Sequence, residues 1–210
     1  MMNRVTMRKL LSVVAVALTA VLCSPAQAQS PVGDVEAMRE MMRGFEPRGQ
    51  AGLSRLVQDD TQAFCSNPRW QRNKARVAAI EKQQLAAGKY PADGKLMGDW
   101  RRGERVAQLG RGQQYSDDPA KPSGANCYAC HQLSPKEVSY GTMGPSLRNF
   151  GKTRGTSEAI QRYTYAKIYN AKAYSACSNM PRFGHKDILT EQQIKDVVAL
   201  LLDPQSPVNK

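Results

Sequence analysis

The 210-residue sequence predicts an all-α protein, and three observations carry that expectation. Apolar residues recur at helical spacing in several segments, period-two strand patterns are nearly absent, and caps and breakers punctuate the helical runs. In "DVEAMREMMRGF", Val35, Met38, Met42 and Phe45 share one helical face, which predicts packing residues rather than ligands. "NPRWQRNKARVAAIEKQQLAAG" predicts a helix from near Asn67, with Pro68 in its first turn, to Gly88. "KYPADGK" (89–95) breaks the pattern with Pro and Gly, and we place a domain boundary there. "KLMGDWRRGERVAQLG" (95–110) reads as the next helix, ending at Gly110. "TSEAIQRYTYAKIYNA" (156–171) follows as a helix capped by Thr156 or Ser157. "LTEQQIKDVVALLLD" (189–203) closes the chain, with Thr190 and Gln193 in capping-box relation. Its Ile194, Val197, Val198 and Leu201 must pack against something. "GTMGPSL" (141–147) and "YSACSNMPRFGHKD" (174–187) read as irregular stretches between helices.

The first 28 residues read as an export signal. Arg4, Arg8 and Lys9 precede the apolar run "LLSVVAVALTAVLC", and "AQA" offers small residues for cleavage after Ala28. Cys23 suggests a lipoprotein, but bulky Leu22 stands before it where such sites want a small residue. The expectation is a signal cleaved near Ala28 and a mature chain free in the periplasm. No later segment is apolar enough to span a membrane. That gives three segments: signal peptide 1–28, helical N-terminal extension 29–93, and a main domain 94–210. The formal net charge of +12 fits anionic or acidic partners. Nucleic acid is excluded as a partner by export and by the lack of a basic run interleaved with aromatics.

Five cysteines sort themselves. Cys23 leaves with the signal, and Cys127 and Cys130 stand in "CYACH". The remaining pair, Cys65 and Cys177, predicts a disulfide in an oxidising compartment. "CYACH" itself, in an exported chain, is an attachment motif for one haem c. Two thiols on one turn can each form a thioether to a porphyrin vinyl group, and His131 then offers an imidazole nitrogen to the iron. A redox CxxC would want a flanking βαβ pattern, which is missing. Zinc would want two more ligands, from Cys65, Cys177 and His185 alone. For the sixth ligand the candidates are Met143, Met180 and His185. Met143 lies too soon after the proximal histidine. Met180 lies in an irregular loop stiffened by Pro181 and outside any helical period, so we favour it. His/Met ligation fills both axial positions and points to outer-sphere electron transfer.

Helix, CxxCH, a "GP-L" loop, a Met loop and a closing helix together resemble class I cytochromes c. The resemblance implies that fold, with crossing first and last helices and Gly103 at their contact. Leu200 stands where the family usually has an aromatic. It also implies that the Pro145 carbonyl accepts the Nδ1–H of His131. "GANCYACHQL", "GTMGPSL", "YNAKAYSACSNMPRFG" and "ILTEQQIKDVVALLLDPQSPVNK" resemble more narrowly the SoxX family, the small monohaem subunits of sulfur-oxidising SoxAX complexes. That resemblance covers roughly residues 94–210 and carries haem ligation to Cys127, Cys130, His131 and Met180. It implies a heterodimer with the SoxA cytochrome, which is expected to hold the catalytic site. The complex acts as an L-cysteine S-thiosulfotransferase: it conjugates thiosulfate oxidatively to a cysteine of the SoxYZ carrier. This chain would accept the two electrons one at a time and pass them to another cytochrome c. Alternatives are a free-standing monohaem carrier without a sulfur role, and a haem enzyme such as a peroxidase or thiosulfate dehydrogenase. Arg148, Lys152, Arg154, Arg162, Lys167, Lys172, Arg182 and Lys186 flank the Met loop and suggest an anion-attracting face.

Overall fold

The structure, a computed structural model, describes residues 31–210. The export signal, with Cys23 and the cleavage expected after Ala28, lies outside the described residues. Seven α-helices are described: α1 Pro31–Gly44, α2 Asp60–Ser66, α3 Lys74–Ala86, α4 Trp100–Gln108, α5 Phe150–Arg154, α6 Glu158–Tyr169 and α7 Glu191–Leu202. Among the described residues there is no strand, only one isolated bridge between Arg48 and Ala51. The fold is all-α, as the sequence predicts.

The described chain divides after Phe45: α1 lies in one unit, and residues 46–210 form a second, compact one. In the first, α1 carries the ion pairs Glu36–Arg39 and Glu40–Arg43 one turn apart, a spacing that supports a helix by a few tenths of a kcal/mol each. Its apolar stripe is packed only in part: Val35 is 59% exposed, Met38 42% and Phe45 54%, while Met42 is half-buried. Helical spacing established the helix correctly. Burial is a separate matter that periodicity alone does not decide.

In the second unit α7 is the central rod. Every residue from Ile194 to Leu202 is buried, polar ones included. Thr190 and Gln193 form the capping box: the Thr190 hydroxyl accepts from the Gln193 amide, and the Gln193 side chain accepts from the Thr190 amide. α4 crosses α7 at Gly103, where an added Cβ would collide with the Asp196 carbonyl and sit 3.0 Å from the Leu200 Cβ. Leu200, fully buried, occupies the place where the resemblance leads one to expect an aromatic.

Several helices start later than their periodicity predicts. Asn73, not Asn67, caps α3 by accepting from the Arg76 amide, after a 3-10 turn at Trp70–Arg72. Asp99 caps α4, accepting from the amides of Arg101 and Arg102. The chain before it stays extended because the Gly98 amide donates to the Lys195 carbonyl on α7. Asp59 caps α2 in a second capping box with Gln62. Residues 46–93 belong to the same compact unit as 94–210, and the break at 89–95 lies within it.

Candidate haem site

The "CYACH" segment is delivered by the end of α4. Successive backbone bonds run from Ala125 to the Val106 carbonyl (2.9 Å), Asn126 to Leu109 (3.0 Å) and Gly124 to Arg111 (2.8 Å). Asn126 adopts a left-handed conformation (φ 46°), which its short polar side chain tolerates. A 3-10 turn follows over Cys127–Ala129, and the His131 amide donates to the Cys127 carbonyl at 2.9 Å. Cys127, Cys130 and His131 therefore share one turn, with the two thiols unpaired and half-buried. Burial pushes the Cys127 thiol up to about 12. Thiol–disulfide exchange requires the opposite, a lowered thiol.

The loop 132–147 folds back on this turn. Gly141 donates to the Tyr128 carbonyl, Gly144 to Cys130 and Leu147 to Gln132, each at 2.8 Å. Gly144 lies directly against the His131 imidazole, and a Cβ there would strike the ring. His131 Nδ1 stands 2.7 Å from the Pro145 carbonyl oxygen. A carbonyl can only accept, so Nδ1 carries the proton and Nε2 keeps its lone pair for a metal. Two thiols and a tautomer-fixed imidazole on one turn make a donor set that fits haem c. Among the described residues no cluster of three or more His, Cys, Asp or Glu could hold a metal ion.

The three candidates for a sixth ligand part company here. Met143 is 84% exposed on the proximal loop. Met180 is half-buried and packs against the hydrophobic core, its amide donating to the Ser178 hydroxyl at 3.2 Å. His185 is tied by its amide to the Tyr169 carbonyl (3.0 Å), and burial with the nearby Arg182 and Lys186 cations holds its imidazole below the usual range. Cys65 and Cys177 form a disulfide with Cα atoms 5.3 Å apart.

The basic face expected around the Met loop is largely committed elsewhere. Arg182 is buried and paired with Asp59, which also takes Lys186 at 3.5 Å. Lys172 is buried, donating to the Ala176 carbonyl, and Lys167 donates to Ala171. Arg162 pairs with Glu158 and lies over the Tyr90 ring. Arg148, Lys152 and Arg154, beside and on α5, remain exposed cations. The sequence pattern counted charges correctly but not their partners, because Asp59 stands 123 residues from Arg182.

Three comparisons with known proteins bear on this chain. Residues 110–203 match the cytochrome c family. The chain is 36% identical over 197 residues to an "Uncharacterized lipoprotein" of Aquifex aeolicus (strain VF5), covering 90% of this chain and 93% of that protein. The crystal structure of SoxXA from P. pantotrophus aligns at 25% identity over 51% of this chain and 82% of that chain, with a TM-score of 0.37. Residues 110–203 are a cytochrome c domain, which implies electron transfer through covalently bound haem c. One expectation is overturned. A relative matched along nine-tenths of the chain is a lipoprotein, held at a membrane by attached lipid, so a chain released near Ala28 to diffuse freely in the periplasm is not its form. No described helix is long and apolar enough to cross a membrane.

Proposed function

We propose that this chain is the monohaem electron-transfer subunit of a SoxAX-type L-cysteine S-thiosulfotransferase. In that reading it accepts electrons released when thiosulfate is joined to a cysteine of SoxYZ, and hands them to another cytochrome c. Cys127 and Cys130 would hold the haem covalently, and His131 and Met180 would ligate its iron. Bound haem supplies a one-electron iron couple. Pro145 keeps His131 in the tautomer that presents Nε2, and Gly144 leaves room for the ring. With His131 and Met180 as ligands, bound haem would serve electron relay, and bond-making would belong to the SoxA partner. The observation that carries the redox reading is the bond from His131 of the "CYACH" turn to the Pro145 carbonyl of the loop that follows it. The sulfur role rests on the four SoxX-like segments between residues 124 and 210.

Because a relative is a lipoprotein, a lipid on this chain is proposed at Cys23, the cysteine left once the disulfide and the haem motif have taken the other four. It is proposed there even though Leu22 before it is bulkier than such sites usually have. Anchored, the chain would work at the membrane surface.

The deciding experiment is purification from the native membrane with identification of what accompanies the chain. A second cytochrome that co-purifies, with haem reduced by thiosulfate plus SoxYZ, supports the assignment. A chain that purifies alone and is inert to thiosulfate returns it to a general electron carrier. Met180→Leu should abolish the far-red sulfur-to-iron charge-transfer band, whereas His185→Ala should leave it.

A further inference from the structure

The segment before the haem-bearing part of the chain does more than cover it. Residues 59–86 reach the Met180 loop at points on both sides of the methionine. Before it, Cys177 is joined covalently to Cys65, and the Ala176 amide donates to the Glu81 carboxylate at 3.0 Å. Further back, the buried Asn170 side chain donates to Gln84 on α3 at 2.8 Å. After it, the Arg182 guanidinium, only 6% exposed, pairs with Asp59, which also faces Lys186 at 3.5 Å. Met180 thus sits three residues beyond one tether and two before the other.

The loop between these tethers has little regular structure of its own. From Ser175 to Asp187 it makes turns and no helix. A loop held by few internal bonds opens locally at low cost unless something external ties it down. A buried guanidinium without a carboxylate is costly, so Arg182 can keep its inward position only while Asp59 is there. Both principal tethers come from the short stretch 59–65, which a bare haem domain starting near residue 94 would lack.

We propose that residues 59–86 are a positioning clamp for the sixth haem ligand: Asp59 and Glu81, with the disulfide, fix the Met180 loop and set how readily the iron–sulfur bond opens. The inference rests on the reading of Met180 as axial ligand. Asp59 touches neither haem nor substrate; it is a positioning residue that acts through Arg182.

The test compares two holoprotein variants. Asp59→Asn keeps the helix cap, since asparagine caps as well as aspartate, but removes the charge from Arg182. Asp93→Asn removes a tie that lies outside residues 59–86, the ion pair to Lys195 on α7, and leaves the bonds between 59–86 and the Met loop in place. Imidazole binding to the ferric protein reads the opening of the sixth position, and hydrogen exchange of the amides 174–187 reads the loop itself. In Asp59→Asn the imidazole association rate should rise roughly tenfold, as a local opening is favoured by leaving a buried cation without its carboxylate. Exchange across 174–187 should rise with it. Asp93→Asn also unpairs a buried cation, but on α7 and outside the Met loop, so it should leave both within about twofold while lowering overall stability. Unchanged exchange in Asp59→Asn overturns the clamp. Equal acceleration in both variants overturns it too, by showing general loosening. Faster exchange without faster imidazole binding, in a protein whose charge-transfer band survives Met180→Leu, shows that the ligand assignment has failed, and the clamp's role toward iron falls with it.

Discussion

Asp196 should be the most sensitive polar residue in the molecule. It lies on α7 at the crossing with α4 and is 2% exposed. Its carboxylate accepts from Arg102 Nε and Nη2 at 2.8 Å each, from the Asp99 amide at 2.8 Å and from Gln192 Nε2 at 2.9 Å. Replacing it with alanine strands the Asp99 amide, which costs about 1–2 kcal/mol, and breaks a two-pronged ion pair. Arg102 is 49% exposed and rehydrates, so the loss of the pair adds only about 1–2 kcal/mol. The sum is roughly 2–4 kcal/mol, or a fall in melting temperature of about 5–12 °C for a unit of this size. Burial opposes ionisation of Asp196, but the bonds from Arg102, the Asp99 amide and Gln192 outweigh it and hold the carboxyl below its ordinary range. A lowered folded-state pKa contributes stability above the unfolded value of about 3.9, which is lost as pH falls through the folded value. The deficit of Asp196→Ala should therefore be full at pH 7 and shrink below about pH 4. Thermal unfolding of the holoprotein, followed by circular dichroism at pH 7 and pH 3, checks both statements. A melting point within about 2 °C of the parent at pH 7, or a deficit that does not change with pH, would refute the reasoning.

Three further outcomes are expected. Gly103→Ala forces the α4 and α7 backbones apart, because the new Cβ meets the Asp196 carbonyl; a urea titration should show a loss of about 2–3 kcal/mol. Replacing Cys65 and Cys177 together by alanine releases a link across 112 residues, and chain entropy puts its worth at about 4–5 kcal/mol; near-parental stability would mean the tethered segments stay ordered without it. Asp59 is burdened by burial, yet the Arg182 and Gln62 bonds with the Arg182 and Lys186 charges bring it down to about 2. With its side chain one-third exposed, that shift is worth about 1–2 kcal/mol after screening. The advantage of the parent over Asp59→Asn should be full above about pH 4 and decline as pH falls toward 2, read from urea midpoints across that range.

Much of the fold was legible because helices announce themselves locally. The capping box of α7 and its apolar positions were readable from one contiguous segment, and so was the site turn, where two cysteines and a histidine stand within five residues. Legibility ended where the partner is distant in the chain. Asp196 interrupts the apolar run of α7, a signal that it needed a partner, but nothing local named Arg102. Arg182 read as surface charge because Asp59 is remote. The start of α3 was missed since two asparagines, Asn67 and Asn73, both suit a cap, and only the intervening 3-10 turn chooses between them. The stripe on α1 was read as a core face because spacing reports which residues share a side, not what faces them.

The buried charges explain how the segment 46–93 finds its register on the haem-bearing part. Apolar contact fixes an approximate fit but discriminates weakly between neighbouring alignments. Two buried cations discriminate strongly. Lys195 on α7 must meet Asp93, and Arg182 in the Met loop must meet Asp59, at sites separated by the whole of α2 and α3. Any slip of the segment leaves at least one cation buried and unpaired, which costs several kcal/mol. Such pairs add little net stability compared with well-packed apolar substitutes, so their effect is on uniqueness. Replacing Lys195 and Asp93 together by methionine and leucine should then leave the unfolding midpoint within about 1 kcal/mol of the parent while broadening the amide resonances of residues 89–99. If instead those resonances stay sharp, the disulfide and the Asp59 pair suffice to set the register, and Lys195 is retained for another reason.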